Sequence, residues 1–262
     1  MGIAFIGAGR LATNLAPALQ EAGCEVVEVW SKTQASAEAL AMRVGCKASW
    51  GRVEQATTKA DLYLLSVKDS VLPEVIRSLH AGRERALFAH TAGSMPLSLF
   101  AEVGHGRGAV FYPMQTFSKE RAVDFSRVHF FLEASAPEDL DFLRQIALRL
   151  TPQGNVHDAS SAERRRLHLA AVFACNFANH CFALADEVLR EAKIPFDAML
   201  PLIEETVQKL HELPPREAQT GPAIRRDENV IGMQRAMLLD KPDLLAVYDL
   251  MTRNIQKLKV KS

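Results

Sequence analysis

The short turn Gly7-Ala8-Gly9-Arg10-Leu11-Ala12 constrains the fold of this chain more than any other segment. It follows the apolar run Ile3-Ala4-Phe5-Ile6 and opens an amphipathic stretch from Leu11 to Ala22. Strand, glycine turn and helix, in that order, form the setting in which a dinucleotide pyrophosphate rests on a helix N-terminus. Gly7 permits the turn. Gly9 lets the backbone reach phosphate oxygens, and Ala12 lets the helix lie close to the strand. The unpaired N–H groups and the positive helix end attract the anion. The competing reading is a tight turn that binds nothing.

With 262 residues, one or two domains are expected. The 31 basic and 31 acidic residues cancel, which argues against a bulk nucleic-acid surface. The run Arg164-Arg165-Arg166 reads as a solvated first helical turn. Cys24, Cys46, Cys175 and Cys181 form no C-x-x-C pair and read as reduced, buried thiols, as in a cytoplasmic protein. The strand signal begins at once, so no signal peptide is expected. The tract from Leu167 to Leu184 is interrupted by His168, Asn176, Asn179 and His180. It reads as a buried helix and not a membrane span.

Strand patterns at 2–6, 25–30, 61–66, 86–90, 108–113 and 128–133 alternate with helical patterns at 10–22, 34–43, 69–80, 95–103 and 137–150. Such alternation predicts an α/β fold with a parallel, doubly wound sheet. A short strand at 155–157 closes the region, and Ser160-Ser161-Ala162-Glu163 forms a capping box. One long helix is expected over 161–192, then helices at 196–212, 228–238 and 242–258. The domain boundary is expected near 156.

An NAD site usually carries an acid at the end of its second strand. Here that strand ends Val29-Trp30-Ser31-Lys32-Thr33, without one. Two hydroxyls and a cation suit a 2′-phosphate, so NADP is the expected cofactor. Glu28 would restore the NAD reading if the count slips by two.

On these residues the N-terminal half resembles the NADP-binding domain of the pyrroline-5-carboxylate reductase and coenzyme F420-dependent NADP oxidoreductase type. Three further segments are His90-Thr91-Ala92-Gly93-Ser94, Tyr112-Pro113-Met114-Gln115-Thr116-Phe117-Ser118 and Thr220-Gly221-Pro222-Ala223-Ile224-Arg225. With them the whole chain resembles the Rossmann-like family defined by the domain of unknown function DUF2520. The resemblance implies a doubly wound Rossmann domain at 1–156. It implies an all-helical, 6-phosphogluconate-dehydrogenase-like domain at 157–262, with homodimerisation through it.

Ser66, Val67 and Lys68 end a strand at the carboxyl edge, where ligands lie. In similar reductases a Val-Lys segment here passes over the cofactor. His90, Ala92 and Gly93 follow the next strand, where small residues admit the nicotinamide end; Ser94 also reads as an N-cap before Pro96. The cofactor set is thus Gly7, Ala8, Gly9, Arg10, Leu11, Ser31, Lys32, Thr33, Ser66, Val67, Lys68, His90, Ala92 and Gly93.

Gln115 and Thr116 stand where the pyrroline carboxylate reductases have a turn that orients a carbonyl or imine. On the long helix, His168 and Asn176 are the catalytic candidates: related dehydrogenases carry a lysine and an asparagine there, and this helix offers no lysine in its first turns. At 100° per residue, positions 168, 175 and 179 share one face, with 176 beside them. Thr220 and Arg225 are the substrate candidates, since a guanidinium fork matches a carboxylate. Arg226-Asp227 reads as a local ion pair. No metal-ligand spacing occurs.

The expected activity is hydride transfer between NADP and a small C=O or C=N substrate held in an interdomain cleft. The alternative is an NADP-binding regulator or sensor that does not turn over. A small-molecule substrate and a second copy of the chain are the expected partners, with no nucleic acid and no membrane.

Overall fold

The computed structural model describes residues 1–258. Its sheet has eight strands: β1 (Gly2–Ile6), β2 (Glu25–Ser31), β3 (Lys47–Trp50), β4 (Leu62–Leu65), β5 (Leu87–His90), β6 (Gly108–Met114), β7 (His129–Ala134) and β8 (Val156–Asp158). They lie in the order β3-β2-β1-β4-β5-β6-β7-β8. Strands β1 to β6 are parallel. Both faces of that region are covered, so β1, β4 and β5 read as unbroken apolar runs and are wholly buried.

Helices α1 (Arg10–Glu21), α2 (Gln34–Val44) and α5 (Pro137–Leu150) cover one face around Phe5, Leu15, Phe111 and Phe130. Helices α3 (Leu72–Leu79) and α4 (Leu99–Glu102) cover the other around Ile6, Tyr63, Ile76 and Phe88. The strand order reverses at β1, which puts its glycine turn at the switch point of the sheet.

Two features depart from the expected parallel array. Strand β7 runs antiparallel to β6, because the segment joining them holds only a single 3-10 turn, Phe125–Arg127, and no crossover helix. Strand β3 is an addition, half-exposed and without apolar alternation. The helix expected over 95–103 shrinks to α4.

The long helix is also not uniform. It comprises α6 (Ser161–Ala171), a π segment (Val172–Phe177) and α7 (Ala178–Glu191). A π turn holds more residues than an α turn, so counting 100° per residue from 168 to 175 and 179 fails across it. The capping box forms as expected, with Ser160 and Glu163 bonded reciprocally.

The chain divides into compact units at Cys175/Asn176, not near 156. The first turn of α6 belongs with the sheet because Ser161 and Arg164 are bonded to Glu133 of β7. Arg164 is correspondingly fully buried and is no solvated residue of a basic run.

Within the second unit, α8 (Leu200–Gln208), α9 (Pro222–Arg225), α10 (Glu228–Ala236) and α11 (Pro242–Gln256) follow α7. Among the described residues no strand follows Asp158. Arg235 of α10 holds Asp249 of α11 bidentately at 2.7 and 2.9 Å. The helix Ser161–Glu191 is long and apolar enough to cross a membrane, with a mean hydropathy of 1.4 over its best window, none of which is buried. The expectation of a buried helix is therefore not met within the described chain.

Candidate functional site

The site begins at the end of β1. Gly7 adopts φ +114°, donates its N–H to Trp30 O at 2.8 Å, and lies so close to β4 that a Cβ would stand 2.3 Å from Ser66 O. Only glycine fits there. Gly9 is different: its φ is −78°, and a Cβ would meet nothing nearer than Ser66 O at 3.9 Å. Gly9 is also the N-cap of α1, with no side-chain cap and no acid in the first turn. The first amides of α1 therefore have no competing side-chain acceptor, as an anion site requires.

A cavity of about 640 Å³ opens over this turn. Gly7, Ala8 and Gly9 line it together with Ser31, Lys32, Ser66, Val67 and Lys68. Eight of the expected cofactor positions thus share one wall system at the carboxyl edge. Glu54 and Glu74 line it too, so any preference for a 2′-phosphate rests on Ser31 and Lys32.

Glu28 is not available as a ribose acid. It is buried, accepts from Ser49 Oγ at 2.7 Å and Thr57 N at 2.8 Å, and pairs with Lys47 Nζ at 2.8 Å. Its carboxylate fastens β3 and the 51–57 segment to β2. An NADP-sized anionic ligand fits the donors present: free helix amides, a glycine pressed to the sheet, and a hydroxyl and a cation at the end of β2.

Other expected cofactor residues lie apart from this cavity. Arg10 is exposed, and Leu11 packs partly against the core. Thr33 donates to Ser36 Oγ at 2.9 Å at the start of α2. His90 is wholly buried and stacked on Phe100. Burial, reinforced by the Arg164 charge, pushes its pKa down to about 3, so it stays neutral and is no proton donor in neutral solution.

Ala92 and Gly93 form the turn after β5. Ser94 bonds to Asp69 instead of capping a helix, which ties that turn to the one after β4. Gly93 faces two rings: a Cβ there would lie 2.9 Å from His168 Nδ1 and 3.0 Å from Tyr112 Cζ. The Tyr112 hydroxyl stands 3.4 Å from His168 Nδ1, and the rings meet edge to face. The structure thus brings His168 and Tyr112 together at the turn after β5.

Behind this pair sits Arg164. It pairs with Glu133 at 2.6 Å and donates to Met95 O. Glu133 also accepts from Ser161 N at 3.0 Å and Ser161 Oγ at 2.7 Å, and Ser161 Oγ accepts from Leu97 N at 2.9 Å. One buried ion pair thereby joins β7, α6 and the segment after Gly93. Burial raises the Tyr112 pKa, with the Arg164 charge acting in opposition. Tyr112, Arg164 and Glu133 were missed as site residues. Tyr112 stands in the turn segment quoted from the sequence, but nothing local marks its role or a long-range ion pair.

Gln115 and Thr116 do not join this cluster. The Gln115 side chain accepts from Thr116 N at 2.8 Å, and both residues line a separate cavity of about 700 Å³ with Ser118, Arg121 and Arg127. Asn14 of α1 holds that loop: its amide donates to Ser118 O at 2.7 Å and accepts from Val123 N at 3.2 Å.

Asn176 lies in the π segment and is exposed. In the second unit, Arg225 is the exposed last residue of α9, and Thr220 precedes it. Arg226 and Asp227 do not pair with one another. Arg226 reaches Gln256 O at 3.3 Å, while Asp227 caps α10 by accepting from Val230 N at 3.2 Å. Among the described residues no group of three or more His, Cys, Asp or Glu could hold a metal ion.

Comparison with known proteins agrees with this geometry. Residues 2–91 match the family "NADP oxidoreductase coenzyme F420-dependent", and residues 128–255 match the domain of unknown function DUF2520. No curated protein matches the chain. Among solved structures, the imine reductase of Myxococcus stipitatus in complex with NADP+ is similar in fold, at 17% identity over 98% of this chain and 93% of that one, with a TM-score of 0.72. A pyrroline-5-carboxylate reductase of Coxiella burnetii is similar at 16% identity over 97% and 98%, with a TM-score of 0.57. The "putative NADP oxidoreductase" of Bacteroides fragilis is similar at 50% identity over 98% of both chains, with a TM-score of 0.92. This protein belongs with it to the NADP oxidoreductase family that joins an F420-dependent-type NADP-binding domain to DUF2520.

Proposed function

We propose that the protein is an NADP-dependent oxidoreductase that transfers hydride to or from a small C=O or C=N substrate. The observation that carries this reading is the coincidence, on one sheet edge, of the glycine cradle and the Tyr112–His168 pair. NADPH supplies the hydride when bound. Gly7 and Gly9 admit the pyrophosphate, and Ser31 and Lys32 receive the 2′-phosphate. The proton that accompanies hydride passes through His168, the exposed member of the pair. Within the second unit, Thr220 and Arg225 are the candidate groups for a substrate carboxylate. The chain acts as a homodimer, in which a second copy covers the apolar helix Ser161–Glu191.

Fluorescence titration tests the cofactor half. NADPH binds more tightly than NADH, and Lys32→Ala weakens NADPH by about tenfold or more while sparing NADH, since only NADPH carries the extra phosphate. Equal affinities in the wild type remove the NADP assignment. The non-catalytic sensor predicts the same binding with no hydride transfer from 4-deuterated NADPH to 1-pyrroline or cyclohexanone.

A further inference from the structure

We propose that the Tyr112 hydroxyl is the immediate proton donor to the substrate, and that His168 is the positioning residue that returns a proton to it from solvent. The inference rests on the oxidoreductase reading above. It starts from an asymmetry. Tyr112 is buried at the carboxyl end of β6, while His168 is exposed on α6. A buried hydroxyl that gives up its proton needs a route for replacing it. The partner the structure gives the Tyr112 hydroxyl is His168 Nδ1, at 3.4 Å. That contact is long for a hydrogen bond, and such contacts tighten when substrate binds.

The surroundings suit an acid. Burial keeps the phenol protonated in neutral solution. The Arg164 guanidinium, held by Glu133, favours the phenolate that proton donation leaves behind. Cys175 is the other ionisable group acting on Tyr112, and it opposes ionisation. Gly93 completes the arrangement, because any side chain there would strike both rings. The turn that receives the nicotinamide end is therefore also the turn that lets the pair approach it.

The step balances as follows. The substrate carbon gains hydride from NADPH, and the C=O or C=N π electrons move to the heteroatom. That atom takes the Tyr112 proton. The phenolate takes a proton from His168, and His168 is reprotonated by water. The net change is reduction of the substrate by two electrons and two hydrogens, with NADPH oxidised to NADP+.

The test has a spectroscopic and a kinetic arm, both on the full chain. The chain has three tyrosines, so with ¹³Cζ-tyrosine labelling the Tyr112 signal is the one missing in Tyr112→Phe. His168→Gln and Gly93→Ala are each expected to move that signal from its wild-type position, because both break the Tyr112–His168 contact. A Tyr112 signal that ignores His168 overturns the pairing. With NADPH and either 1-pyrroline or cyclohexanone, Tyr112→Phe is expected to lower kcat by about 10²–10⁴-fold with NADPH affinity unchanged. His168→Gln is expected to lower kcat less and to move the pH profile. Turnover within about twofold of wild type in Tyr112→Phe overturns the donor role alone. A wild type that binds NADPH but reduces neither probe overturns the oxidoreductase reading and the donor role together.

Discussion

Arg164, wholly buried in α6, pairs with Glu133 of β7 across 2.6 Å and has no other carboxylate within ion-pair distance among the described residues. Removing one partner leaves a buried charge uncompensated, which typically costs about 3–5 kcal/mol. Glu133→Gln should approach that loss, because it strands the wholly buried Arg164 guanidinium. Arg164→Ala strands a carboxylate that is partly exposed and still accepts from Ser161, so its electrostatic loss should be smaller. Urea unfolding of both single variants and the double variant measures this. Near-additive losses would show that the two residues are not coupled.

The two turn glycines should fail differently. Gly7→Ala puts a Cβ 2.3 Å from Ser66 O at positive φ, so it should lower Tm and NADPH affinity together. Gly9→Ala meets nothing nearer than 3.9 Å in the protein, so it should keep Tm and lose NADPH. Thermal melts with and without cofactor decide the matter. An unchanged NADPH affinity in Gly9→Ala would mean that the pyrophosphate lies elsewhere.

Acid should destabilise the fold through His90. Its folded pKa, about 3, lies below the unfolded value near 6.5. Between those values the unfolded chain binds the extra proton, so stability rises with pH across the window. The contribution is fully present above the unfolded pKa and is lost as pH falls toward 3. Its size is on the order of a few kcal/mol. Burial moves the pKa of His105 in the same direction. Denaturant titrations over this range should show a flatter acid limb for His90→Gln than for wild type, and parallel limbs would acquit His90.

If a second copy covers the apolar helix, charge on that face should separate the copies. Leu169 is 58% exposed on α6. Sedimentation should give a dimer for wild type at micromolar concentration and a monomer for Leu169→Lys. A wild-type monomer would dismiss the assembly.

The sheet and the cofactor turn were legible because their signals are local. A buried parallel strand is an apolar run, and the glycine turn has a fixed place after it. The antiparallel entry of β7 was hidden because direction depends on what joins two strands, and the segment from 115 to 128 has no periodicity of its own. Arg164 was misread for a related reason. Its sequence neighbours are Arg165 and Arg166, both exposed, whereas its partner Glu133 is 31 residues away. His168 could be nominated by residue type alone. Its partner could not, because the contact with Tyr112 spans 56 residues. Asn176 was aligned with His168 by an α-helical count that the π segment breaks.

The outer strands of the sheet carry a further consequence. β3 has four residues and β8 three, and they present Lys47 and the His157-Asp158 pair. A sheet whose apolar interior strands ended at long, flat borders would recruit strands from other molecules. Short polar borders offer few unpaired amides in register and charge any strand that tries to add. The protein can therefore expose an apolar helix while its sheet stays closed to aggregation by strand addition.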